Sequence, residues 1–95
     1  MKKDDILNFL REHKNEFKEK YSVEKIGLFG SYARDEATKE SDIDIFVEMK
    51  PDLFMMISVK DIIEEKFHKK VDLISKHKNM KPLLREMIEK DIIYV

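Results

Sequence analysis

The sequence predicts an α/β (α+β) chain built as a small mixed β-sheet of about three to four strands packed by helices. Three observations predict it. Apolar residues recur at helical spacing over three separate stretches, near 6–21, 53–67 and 82–90. Between them lie runs of strand length at 23–29, 41–49 and 70–75. Ninety-five residues leave room for a single modest core, so the alternating elements are expected to form one domain over 1–95.

Composition narrows the class further. Apolar residues make up 42% and charged residues 41%, the balance of a globular rather than a disordered chain. Nineteen basic and 20 acidic residues give a net charge of −1. No general attraction to nucleic acid follows, and any polyanion must be held by a local site. The absence of cysteine excludes disulfides, thiolate chemistry and cysteine-based zinc sites. Met1-Lys2-Lys3-Asp4-Asp5 leads into an amphipathic segment without the apolar run of a signal peptide. No stretch approaches the ~20 apolar residues that span a bilayer. A cytoplasmic chain without a membrane partner is expected.

Asp4 or Asp5 is placed to cap a first helix running to about Tyr21. Ile6, Leu10, Phe17 and Tyr21 form its apolar stripe, with His13 at the boundary. Val23–Phe29 reads as a mostly apolar strand, ended by Gly30. Gly27 and Gly30 are the only glycines, and a missing Cβ at Gly30 permits close approach of a ligand or another backbone. A short helical turn follows from Ser31, whose hydroxyl and neighbouring free N–H groups suit an anion. For a Gly-Ser pair taken alone, an ordinary strand-to-helix turn is the favoured reading.

After a polar loop at 35–40, Ser41–Met49 alternates as a strand. Ile43, Ile45 and Val47 point one way, and Asp42, Asp44, Phe46 and Glu48 the other. That second face reads either as solvent-exposed or as a site. Aspartate is disfavoured in strands, and two carboxylates at i and i+2 repel each other unless a cation intervenes. Lys50-Pro51-Asp52 breaks the strand, with Pro51 expected in the first turn of the next helix. Leu53, Met56, Val59, Ile63 and Phe67 step by three and four along it, marking the face packed on the sheet. In the third strand, Lys70–Ser75, Val71 and Leu73 share one face and Asp72 lies on the other with Ile74. If this strand lies beside the second, all three aspartates converge. His68, His77 and Lys78 fall in polar loops. Pro82 opens a last helix to about Lys90, with Leu84, Met87 and Ile88 inward, and Ile92–Val95 suits a short strand or docked tail.

Three strand carboxylates beside a Gly-Ser turn suit metal-dependent nucleotidyl transfer, in which two Mg²⁺ ions about 3.5–4 Å apart bridge carboxylates and triphosphate. The run GSYARDEATKESDIDIFVE, with the later KKVDLIS and KPLLREMIEKDIIYV, resembles the minimal nucleotidyltransferases (MNT) of the DNA polymerase β superfamily. The resemblance spans essentially the whole chain and implies the small nucleotidyltransferase fold. By position, Gly30 and Ser31 match the pair that contacts the triphosphate, and Arg34 matches a frequent arginine of the family, serving phosphate or local structure, with a surface salt bridge as the alternative here. Asp42, Asp44 and Asp72 match the metal-binding carboxylates, the last also able to act as base. Ser41 matches the residue before the Asp pair, where it serves the loop. Asp35 departs from the glycine usual there, adding a negative charge near an anion site. The resemblance further implies ATP as substrate and a helical HEPN-type toxin as partner, silenced by AMP transfer to its tyrosine. A catalytically weak module that neutralises a partner by contact is one alternative. A small-molecule, antibiotic-type nucleotidyltransferase is the other, for which a single domain is expected to need a partner or second copy to supply the acceptor pocket. Self-association is left open.

Overall fold

In the computed structural model, which describes residues 1–95, the chain begins with α1 (Lys3–Tyr21), β1 (Val23–Phe29), α2 (Gly30–Ala33) and β2 (Ile43–Met49). It continues through α3 (Leu53–Phe67), β3 (Val71–Ser75), α4 (Pro82–Asp91) and β4 (Ile93–Tyr94). The strands form one mixed sheet in the order β3-β2-β1-β4. β2 pairs antiparallel with β1 and parallel with β3, and β4 lies antiparallel on the far side of β1. A parallel neighbour needs a crossover connection, and α3 supplies it between β2 and β3. No helix is long and apolar enough to cross a membrane.

Side-chain alternation along β2 divides the molecule into layers. Ile43, Ile45 and Val47 are fully buried and join Ile26, Leu28 and Val71 beneath α1 and α3. α1 contributes Ile6, Leu10 and Phe17, all without solvent exposure. Each such side chain stabilises the fold by about 1.5–3 kcal/mol relative to an exposed one. The opposite face is not open to solvent along its length. Phe46 is buried with Phe29 and Ile88 in a second, smaller core, because α4 lies over it with Leu84 and Ile92. Amphipathic alternation predicts two faces; a helix distant in the sequence, α4, decides that both are covered at Phe46.

Several boundaries differ from the sequence expectation, each for a local reason. α1 starts at Lys3, and Asp5 sits in its first turn, where its carboxylate accepts the Lys2 backbone N–H at 2.8 Å. Pro51 lies outside α3, whose cap is Asp52: the Asp52 Oδ1 accepts the Met55 N–H at 3.0 Å. Replacing Asp52 by alanine is expected to cost about 1 kcal/mol, read from the urea midpoint. An unchanged midpoint would show that this bond contributes nothing. β2 begins at Ile43, so Asp42 precedes the strand, and β3 begins at Val71. Val59 and Ile63 are buried as expected, but Leu53 is 69% exposed and Met87 50% exposed. Leu53 is the first residue of α3, and Met87 stays half-exposed although its neighbours Leu84 and Ile88 pack in the second core. The tail forms β4, and the Val95 N–H donates to the Ile26 carbonyl.

Candidate active site

Sheet register sets the site. Phe29 of β1 is the partner of Asp44 in β2, and Asp44 is the partner of Asp72 in β3. Gly30, the next residue after Phe29, therefore stands beside Asp44. Its backbone has φ +76, and a Cβ built there would collide with Asp44 Oδ2 and come within 2.8 Å of Asp44 Cγ. Both properties require glycine. The start of α2 is thus drawn against the Asp44 carboxylate, a side chain standing where the sequence suggested a ligand or another backbone. Ser31, the second residue of α2, is half-buried beside it.

The structure brings Asp42, Asp44 and Asp72 to the same end of one sheet face. Asp42 and Asp72 are exposed and Asp44 is half-buried. The Asp44 carboxyl is pushed up from 3.8 to about 6, first by burial, then by the negative charges of Asp72 and Asp42; Arg34 opposes the shift. None of the three carboxylates forms an ion pair with a lysine or arginine of the chain. Three hard oxygen donors without a protein cation are the donor set that suits Mg²⁺ rather than zinc. Their side chains stop short of closing on one coordination point, so the fit is one of donor chemistry and placement.

Arg34, which ends α2, is held by partners that local sequence does not reveal. Its Nη1 donates to Asp91 Oδ2 at 2.5 Å, and its Nε donates to Glu36 Oε2 at 3.2 Å. Asp91 closes α4, and its side chain is only 9% exposed. A carboxylate at a helix C-terminus opposes the helix dipole, so the guanidinium is its compensating charge. The Arg34 pKa is raised by these same two hydrogen bonds, Asp91 first. Nη2 is the guanidinium nitrogen left without a protein partner. Sequence reading left Arg34 between a phosphate contact and a salt bridge; the geometry provides the bridge and keeps a donor free. The only sequence signal for Asp91 is an acidic residue at a helix end where a cation is favoured.

Asp35 adopts the left-handed conformation (φ 60), as a residue replacing glycine must. Its carboxylate pairs with Lys3 Nζ at 3.1 Å, which offsets the charge it brings to the turn. Ser41 serves the loop before the Asp pair, its Oγ accepting the Thr38 N–H at 2.8 Å. His68 caps α3 in the left-handed conformation, and His77 and Lys78 are exposed. A cavity of about 100 Å³ between α4 and the sheet, lined by Phe46, Glu48, Lys76 and Tyr94, lies toward the other end of β2 from the carboxylates.

A glycine-serine turn set against register-paired carboxylates on a mixed sheet defines an enzyme of the nucleotidyl-transfer class. Comparison with known proteins agrees. The family model for the nucleotidyltransferase domain matches residues 10–95. MJ0128 of Methanocaldococcus jannaschii, provisionally named a protein adenylyltransferase, is 44% identical over 93 residues, spanning 96% of this chain and 95% of its own. The protein adenylyltransferase MntA of Thermococcus cleftensis is 34% identical over 94 residues, spanning 97% and 94%. A solved structure provisionally named a minimal nucleotidyltransferase aligns with a TM-score of 0.77 at 27% identity, over 98% of this chain and 95% of its own. The complex of tri-AMPylated Shewanella oneidensis HEPN toxin with MNT antitoxin aligns with a TM-score of 0.66 over 97% of this chain and 70% of that one. At 19% identity that likeness is one of fold. The chain belongs to the nucleotidyltransferase domain family, among its minimal members.

Proposed function

We propose that this enzyme transfers AMP from ATP to a hydroxyl of a partner protein, a helical toxin of the HEPN type, and silences it. The observation that carries the reading is the close approach of Gly30, at the start of α2, to Asp44, itself paired across the ladder with Asp72, with no cation of the chain paired to these carboxylates. The names of the relatives support protein adenylylation, and the MNT–HEPN complex supports the class of partner.

Asp42, Asp44 and Asp72 would hold Mg²⁺. Bound there, the metal neutralises triphosphate charge and makes the acceptor hydroxyl more acidic. The chain's own residues supply the rest. Gly30 lets the start of α2 approach the phosphates, and the first amides of that turn lack intrahelical acceptors. Arg34, fixed by Asp91 and Glu36, offers its free Nη2 to a phosphate oxygen. Asp72, exposed on an outer strand, is positioned to accept the proton of the incoming hydroxyl. Catalysis is then mainly orientation and electrostatics at the α-phosphorus, with pyrophosphate leaving.

The test is transfer of α-labelled ATP with Mg²⁺ to a HEPN-type partner, comparing wild type with the Asp42→Asn/Asp44→Asn double variant. Label on the partner that disappears in the variant is expected. A partner bound and silenced without label would replace the enzyme by a contact inhibitor. Label on small molecules alone would move the acceptor to a different class.

A further inference from the structure

The catalytic face has two sides, and they differ in chemistry. On the β1 side of Asp44 stand Gly30 and the start of α2, the polar approach assigned above to the triphosphate. On the other side, β3 is an outer strand with one edge unpaired. Beside that edge, α3 begins with Leu53 at 69% exposure, Phe54 at 85% and Ile57 at 46%. Leu53 and Ile57 are one turn apart and so share a face. A groove of about 310 Å³ runs between this face and β3, and its lining includes Leu53, Met56, Ile57, Lys60, Lys70 and Asp72. Asp72 therefore belongs to the groove as well as to the carboxylate set.

We propose that this groove docks the acceptor protein, taking an extended segment that carries aliphatic side chains flanked by an acidic residue. The proposal rests on the protein-adenylylation reading and names the surface that serves it. Three features select this occupant. The groove ends on the carboxylate assigned to the acceptor hydroxyl, and it lies across Asp44 from the triphosphate turn. An in-line displacement needs the entering and leaving groups on opposite sides of the phosphorus. An open strand edge beside an apolar groove receives an extended peptide through main-chain hydrogen bonds and alternate side-chain pockets. The charge is also specific. Lys70 has no carboxylate within 4.0 Å and Lys60 has only Glu64, at 3.8 Å. A second copy docked face to face would set these lysines against their own counterparts, whereas an acidic flank on the acceptor would pair with them.

The edge is also limited at one point. The Val71 N–H is taken by Glu64 Oε2 at 2.8 Å, which leaves the docked segment to register from Leu73 onward. A groove that accepts a strand only in one position delivers one hydroxyl to Asp72.

The experiment compares wild type with Phe54→Ser/Ile57→Ser and, separately, Lys70→Glu, using the HEPN-type partner as acceptor. Partner Kd is measured without ATP, partner KM and kcat by label transfer, and ATP–Mg²⁺ Kd by titration. These side chains are exposed or flank the groove, so the variants fold, and an unchanged melting curve checks it. The expected result is a partner Kd and KM raised by about tenfold or more, with kcat and the ATP Kd within about twofold. Variants that bind and label the partner as wild type does would overturn the groove and leave the adenylylation reading standing. Loss of self-association, measured by sedimentation, with partner binding intact would also overturn it. If wild type binds the partner but never labels it, the adenylylation reading fails, and a weakened Kd in both variants still supports the groove. A wild type that does not bind the partner at all overturns the groove.

Discussion

Alanine at Gly30 is expected to lower AMP transfer by roughly a hundredfold or more, because a reacting group displaced by an ångström costs about that much. The reasoning is steric and local. Position 30 has a positive φ, and its Cβ would occupy the space of the Asp44 carboxylate. Either the carboxylate rotates out of register with Asp72 or α2 swings away from it, and both separate the turn proposed to hold the triphosphate from the carboxylates proposed to hold the metal. The strain on folding is smaller, on the order of 1–3 kcal/mol. Label transfer and urea unfolding measured on the same preparation separate the two effects. A Gly30→Ala enzyme of normal rate would show that the Gly30–Asp44 approach is not needed for catalysis.

Asparagine at position 44 should move activity and stability in opposite directions. In the folded chain Asp44 ionises near pH 6 rather than 3.8, because burial and the charges of Asp72 and Asp42 disfavour its anion. The folded state therefore holds the proton more tightly than the unfolded chain across that interval. Metal-free stability accordingly falls as pH rises from about 4 to about 6 and is flat above. Asp44→Asn removes this penalty. At pH 7.5 without metal, the variant should exceed wild type by about 1 kcal/mol, allowing for the solvent that screens a half-buried group. At pH 4 the advantage should vanish. Transfer should fall by roughly 10³-fold, since a proposed metal ligand and its charge are lost. Added Mg²⁺ should stabilise wild type more than the variant. A variant less stable than wild type at pH 7.5 without metal would mean that Asp44 is already favourably paired.

Much of this architecture is legible in the chain because its signals are local. The strand at Val23–Phe29 stands where its apolar run places it, bounded by Ser22 and Gly30. Asp44 and Asp72 share a face because alternation forces it once β2 and β3 are neighbours. Asp35 takes the backbone conformation its position demands. What could not be read is non-local. Phe46 is buried by α4, and Arg34 is held by Asp91, 57 residues away. Periodicity identifies the apolar face of a helix but not how much of that face its neighbours cover. Leu53 and Met87 therefore look like core residues in the sequence and lie exposed in the fold. Pro51 is equally ambiguous, since proline suits both the first turn of a helix and the residues just before its cap.

The pairing of Asp44 with Asp72 across a parallel ladder has an evolutionary consequence. Side chains on a strand alternate, so a one-residue slip of β3 would turn Asp72 toward the apolar core. The loops at 36–40 and 68–69 connect elements without setting that register. Insertions and deletions can accumulate there over generations while the carboxylates stay in place. A single-residue insertion within Val71–Ser75 would invert the faces beyond it, exchanging charge for core. Lineages descending from this chain are thus free to vary in the length of their loops and constrained in the length of five residues.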